Sequence, residues 1–201
     1  METALAKARK SDDIANSMDD PKMGYGGNRG GNNRRNLFPQ LAAAAGKFLK
    51  SENGPRLAVM ELGGWDTHSN QAARLRQQLA TLDNGIGALQ TSLGEAWQDT
   101  CVLILSEFGR TANFNGSKGT DHGTAGTGFI LGGAVKGGSI VGDWPGLKTK
   151  QLYEERDLFP ANDAYAVIAG LMHDHLGIGK SVIQASILPG LRSKPATNLV
   201  L

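Results

Sequence analysis

The chain has 201 residues, 40% of them hydrophobic and 20% charged, a balance that suits one packed domain with an irregular arm. Its formal net charge of +2 is too small to mark a nucleic-acid-binding face or a polybasic membrane surface. A single cysteine, Cys101, excludes an intramolecular disulfide, and no apolar run reaches the length of a membrane span.

The first ten residues lack the apolar centre of a secretory signal, so the sequence as it stands carries no export instruction. Residues 2–18 are predicted to be helical, with Pro21 ending the helix. Residues 24–35 follow as a loop of Gly, Asn and Arg with too little apolar surface to fold alone. With three arginines and one aromatic, this stretch is a poor RNA-binding arm. A helix is then expected from about Pro39 to Lys50, broken by Gly54-Pro55, and a strand over residues 57–62.

The clearest element comes next. Leu75, Leu79, Leu82, Ile86, Leu89 and Leu93 recur at steps of four and three, a single apolar helix face that should pack on a sheet. Residues 101–106 read as a second strand, with Cys101 as a small buried hydrophobe. Strand, helix and strand in this order predict parallel neighbours joined by a right-handed crossover. Short strands are expected at Phe129–Leu131 and Ser139–Val141, and a helix from Asn162 to Gly177 capped by Asn162 or Asp163. From Pro195 the end should fray. The predicted fold class is α/β, with a three-layer, mostly parallel sheet flanked by helices. The arm covers residues 1–36, the domain 37–192 and the tail 193–201.

Polar clusters follow the predicted strands. Asp66 and His68 come straight after 57–62, Glu107 and Arg110 after 101–106, and Asp121 and His122 lie in the glycine-rich loop beyond. In an open parallel sheet, ligands bind outside the carboxyl ends of the strands. Carboxylate oxygen with imidazole nitrogen suits Zn²⁺, Mn²⁺ or Fe, whereas an all-oxygen Ca²⁺ site would not need the histidines. Such an ion can polarise a phosphoryl or sulfuryl oxygen, and Arg110 could hold the anion in a bidentate fork. Each residue also has a plainer role: Asp66 as a helix cap, Glu107 as a partner of Arg110, Asp121 in an Asx turn. His173 and His175 sit in the last turn of a predicted helix, where the dipole favours cations without any metal.

Four motifs in order are residues 63–68 (Gly-Gly-Trp-Asp-Thr-His), 106–111 (Ser-Glu-Phe-Gly-Arg-Thr), 119–125 (Gly-Thr-Asp-His-Gly-Thr-Ala) and 131–138 (Leu-Gly-Gly-Ala-Val-Lys-Gly-Gly). Together they resemble the DUF1501 family, bacterial proteins of unassigned activity placed near the alkaline phosphatase and sulfatase superfamily. The resemblance covers about residues 37–178. It implies a doubly wound core with metals at the strand ends: Asp66, His68 and His122 as ligands of one, Glu107 near a second. Phe108 stands where the superfamily has a ligating residue, which makes one metal easier to defend than two. The superfamily's early strand and its Ser or Thr nucleophile have no counterpart before Asn36, so the chain resembles the C-terminal half of such a protein.

The expected function is a metal-dependent, hydrolase-like domain for phosphate or sulfate esters, with metal ligands among Asp66, His68, Glu107, Asp121 and His122 and with Arg110 on the anion. The rival is a non-catalytic binding or assembly domain of the same fold, completed by a second copy or by an N-terminal half. Neither nucleic acid nor a membrane span is expected as a partner.

Overall fold

The structure is a computed structural model that describes the chain from Gly31 to Leu201, with side chains from Leu37 onward. The helix expected at 2–18 lies outside the described residues, as does most of the Gly-Asn-Arg stretch. The fold is mixed: three longer helices, short helical turns and two small antiparallel sheets among the described residues.

Helix α1 spans Gly31–Leu49 and α2 spans Gln71–Leu93. The first begins earlier than expected, taking in residues 31–35 and running through Pro39. From Phe38 on the helix buries a face, and most helical stability in proteins comes from such a face. Ala42, Leu89 and Leu93 are buried together, with Ala45, Leu49, Ala96, Trp97 and Val102 packed around them. Phe38 lies over Gly85, and Ser92 donates through Oγ to the Ala43 carbonyl at 2.7 Å. The leucine stripe is thus half core. Its C-terminal end faces α1, while Leu79 stays 46% exposed.

A 3₁₀ turn at Gly94–Asp99 leads into strand β1, Val102–Ile104, which is shorter than the expected 101–106. After it come β2, Gly109–Arg110, β3, His122–Gly123, and β4, Phe129–Leu131, the last as expected. β1 pairs antiparallel with β4, Val102 opposite Leu131 and Ile104 opposite Phe129. β2 pairs antiparallel with β3, setting Arg110 opposite His122.

The expected three-layer, mostly parallel sheet is therefore not what the described residues form. Residues 57–62 enter no strand, and Leu57 and Val59 stay 66% and 90% exposed. A run of apolar residues specifies an extended chain, but a ladder needs a partner that periodicity cannot name. The strand expected at 139–141 is missing for the same reason, with Ile140 92% exposed.

Helix α3, Ala164–Asp174, is capped by Asp163, whose carboxylate accepts from the Tyr165 amide at 2.9 Å. His173 Nδ1 lies 3.0 Å from the Ile178 carbonyl, and Gly177 takes a left-handed φ of 69°. The histidine thus serves the helix end. A final short helix, α4, Lys180–Val182, runs into a wider turn at Ile183–Ile187. The residues expected to fray lie against the body instead: the Ala196 amide donates to Ala166 O at 2.9 Å, and Leu199 is 4% exposed. No helix among the described residues is long and apolar enough to cross a membrane.

Candidate metal centre

Residues 65–68 form an irregular segment between the exposed run and the helix α2, which begins at Gln71. Asp66 and His68 are exposed, while Thr67 between them is 2% exposed. The loop before β3 makes the matching arrangement. Thr120 is 4% exposed, and Asp121 and His122 are exposed.

An inner layer of hydrogen bonds fixes the two loops to each other. Gln71 Oε1, in the first turn of α2, accepts from Thr67 Oγ1 at 2.9 Å and from Thr120 Oγ1 at 2.7 Å. Arg110 Nη1 donates to the Thr120 carbonyl at 3.0 Å, and its Nη2 donates to the Trp65 carbonyl at 2.6 Å and Asp66 Oδ1 at 3.3 Å. The residue 115–119 turn closes the assembly. The first amides at the α2 end, Asn70 and Gln71, donate to Ser117 O and Lys118 O. Gly119 lies so close to the His68 backbone that a Cβ would overlap it, and Gly123 meets Arg110 in the same way across β2–β3. The glycines of this region are there for close backbone approach.

The outer layer gathers the expected ligands. Asp66 Oδ1 stands 2.9 Å from His68 Nε2 and 2.9 Å from His122 Nε2. The other nitrogen of His68, Nδ1, faces Asp121 Oδ1 at 3.3 Å, and Asn115 Nδ2 donates to that same oxygen at 2.9 Å and to His68 O at 3.0 Å. The imidazoles of His68 and His122 stack with centroids 4.8 Å apart, Phe108 tilts onto His122 at 4.7 Å, and the Arg110 guanidinium lies 4.8 Å over Phe108. Both carboxyl groups titrate below the ordinary aspartate range. For Asp66 the main cause is the hydrogen bond from His122, then the charges of His68, His122 and Arg110, against some desolvation. For Asp121 it is the hydrogen bond from Asn115, then that from His68. Partial burial raises the Cys101 thiol, which has no part in the site.

The donor set, one carboxylate and two imidazoles, is of a kind that a divalent ion can use. Among the described residues, Asp66, His68 and His122 form the one group whose ligand atoms all lie within 4.8 Å of one another. Ligands on a tetrahedral ion with bonds of about 2.0–2.2 Å stand about 3.3–3.6 Å apart, so the 2.9 Å separations need only a small expansion. The site is open, with about half of each of the three side chains exposed.

The five expected ligands separate into three groups. Asp66, His68 and His122 converge. Asp121 stands behind His68, where its carboxylate accepts from Nδ1. Glu107 is exposed, its nearest partner the adjacent Ser106 hydroxyl at 3.5 Å, outside the converging group. Arg110 was expected to face an anion; its side chain is only 16% exposed and its terminal nitrogens are turned to the loops. Sequence reading missed Thr67, Gln71, Asn115 and Thr120. Their one signal was position, each lying within or just beside the ligand motifs.

A search of curated proteins and one of solved structures returned no match for the chain. A family model described as "Protein of unknown function (DUF1501)" matches residues 4–187, most of the chain and all four motifs quoted above. The chain therefore belongs to the DUF1501 family.

Proposed function

We propose that this protein is a metal-dependent, hydrolase-like domain acting on phosphate or sulfate esters, with Zn or Mn held by Asp66, His68 and His122. The observation that carries the reading is the convergence of one carboxylate and two imidazole nitrogens from loops more than 50 residues apart in sequence. A divalent ion at this position supplies Lewis acidity toward an ester oxygen. The chain's own residues do the rest. A proton held on His68 Nδ1 by Asp121 leaves the Nε2 lone pair free as a ligand, the usual arrangement behind a metal-bound histidine. Gln71 and Arg110 hold the loops, and Phe108 walls one side of His122. Kinship with the alkaline phosphatase and sulfatase superfamily belongs to this proposal and rests on the sequence resemblance.

Elemental analysis tests it, on protein purified without a histidine tag, for wild type, His68→Ala and His122→Ala. The reading expects near-stoichiometric metal in wild type, lost in both variants, and metal-dependent turnover of an aryl phosphate or aryl sulfate. Wild type that binds no Zn, Mn or Fe after reconstitution sinks it.

A second reading has its own support. Leu57, Val59 and Ile140 are widely exposed, and an apolar groove runs between α2 and the β1–β4 pair, lined by Leu79, Leu82, Ile86, Ile104, Phe129 and Leu131. Apolar surface of this kind marks an interaction site. A non-catalytic assembly domain would use it with a second copy or an N-terminal half. Sedimentation showing a defined dimer, with no metal-dependent hydrolysis, would favour that reading.

A further inference from the structure

The metal reading leaves one part unfilled, the group that receives the anion, because Arg110 is engaged with the loops beneath. A second guanidinium stands beside the site. Arg156 Nη2 donates to the carbonyl of His122 at 3.2 Å, and its positive charge reaches Asp121. Its side chain is 58% exposed, against 16% for Arg110. Nη1 stands 3.2 Å from Asp157 Oδ1. A guanidinium has five N–H donors in a planar fork, so these two contacts do not use all of its donors, and the side chain that carries them is more than half exposed.

The backbone under Arg156 is fixed. The Ala112 amide donates to Arg156 O at 3.0 Å, the Arg156 amide to Tyr153 O at 3.1 Å, and Leu158 N to Arg110 O at 3.3 Å. Thr111 and Asp157 form an antiparallel bridge. Asp157 is 6% exposed and accepts from Thr124 Oγ1 at 2.9 Å. The turn thus hangs from both strands that present the site, β2 through Arg110–Ala112 and β3 through His122–Thr124. Glu154 and Glu155 carry φ of 51° and 56°, a left-handed pair of non-glycine residues that this stitching has to sustain.

We propose that Arg156 is the anion-binding residue of the centre, pairing with two oxygens of a tetrahedral oxyanion, the phosphate or sulfate group of a substrate or product, beside His122. Planar bidentate recognition is what distinguishes Arg from Lys in such a place. The assignment rests on the hydrolase reading for its substrate class, and its test is kept separate from the metal.

Titration calorimetry with inorganic phosphate and with sulfate, at fixed ionic strength, is run on wild type, Arg156→Gln and Arg156→Lys, metal-free and metal-loaded. Wild type should bind at least one of the two anions. Arg156→Gln, which removes the charge and the fork, should weaken binding about tenfold or more. Arg156→Lys should recover part of the loss, since it restores charge without the fork. Metal content should be the same in all three proteins. Equal anion affinity in wild type and Arg156→Gln overturns the proposal, as does a wild type that binds neither anion in either form. A wild type that cannot be loaded with metal, yet binds an anion with an affinity lost on Arg156→Gln, defeats the hydrolase reading and leaves the Arg156 assignment standing.

Discussion

The helix pair and the loop site are built by opposite means. Between α1 and α2, side chains such as Ala42, Leu89 and Leu93 are excluded from water, and non-directional apolar burial holds them. At the site the groups that matter are half exposed, and a buried layer of directional hydrogen bonds from Thr67, Gln71, Thr120 and Arg110 holds them in register. The difference teaches where sensitivity should lie. A core tolerates changes of shape that keep its volume, whereas a loop site fails when one acceptor is removed.

The largest expected effect is on metal. Asp66→Ala or His122→Ala should abolish stoichiometric binding while the thermal transition of the metal-free protein moves little, because both side chains are about half exposed. If the transition collapses along with the metal, the site is part of the core and the comparison is false. Leu89→Ala attacks the other region. It should cost about 2–5 kcal/mol in urea unfolding, with metal per folded molecule unchanged.

Asp121→Asn should weaken metal binding by about 10–100-fold, as other removals of a carboxylate behind a metal-bound histidine do. Competition with a chelator of known affinity measures this, and an unchanged affinity would show that Asp121 does not orient His68. Gln71→Ala leaves the inward-turned Thr67 and Thr120 hydroxyls without their shared acceptor, which should cost about 1–3 kcal/mol. It should also loosen the loops, so the stacked His68 and His122 rings should lose their mutual ring-current shifts in NMR spectra. Gln71→Glu keeps an acceptor and should keep the stacking. Glu107→Gln should leave metal content and stability alike. A loss of metal in that variant would bring Glu107 back as a ligand.

The site was more legible in the sequence than the sheet was. Asp66, His68, Asp121 and His122 could be picked out because metal-ligating residue types are few and lay in glycine-rich loops at the ends of apolar runs. The helix at 71–93 announced itself by its period, and residue type narrowed the cap of the later helix to Asn162 or Asp163, of which Asp163 serves. Arg110 was visible as a charged residue in a motif, but its role was not. Whether a guanidinium faces a substrate or a backbone carbonyl depends on neighbours 45 residues away. Arg156 was passed over because its own neighbourhood, two glutamates and an aspartate, reads as a solvated turn. Phe108, read as an absent ligand, stands beside His122 as a wall.

Local chemistry pointed to the helices at 71–93 and 164–174 and to the residues that could ligate, and the charge and apolar content fit a packed domain. These depend on residue type and on spacing within a few turns. Tertiary structure alone decided strand partners, since 57–62 stays unpaired and 102–104 runs antiparallel to 129–131. It also decided which of two arginines is committed to the loops and which stays more than half exposed. Pairing and donor allocation are settled by groups distant in sequence that compete for the same atoms, and no local pattern records the outcome of that competition.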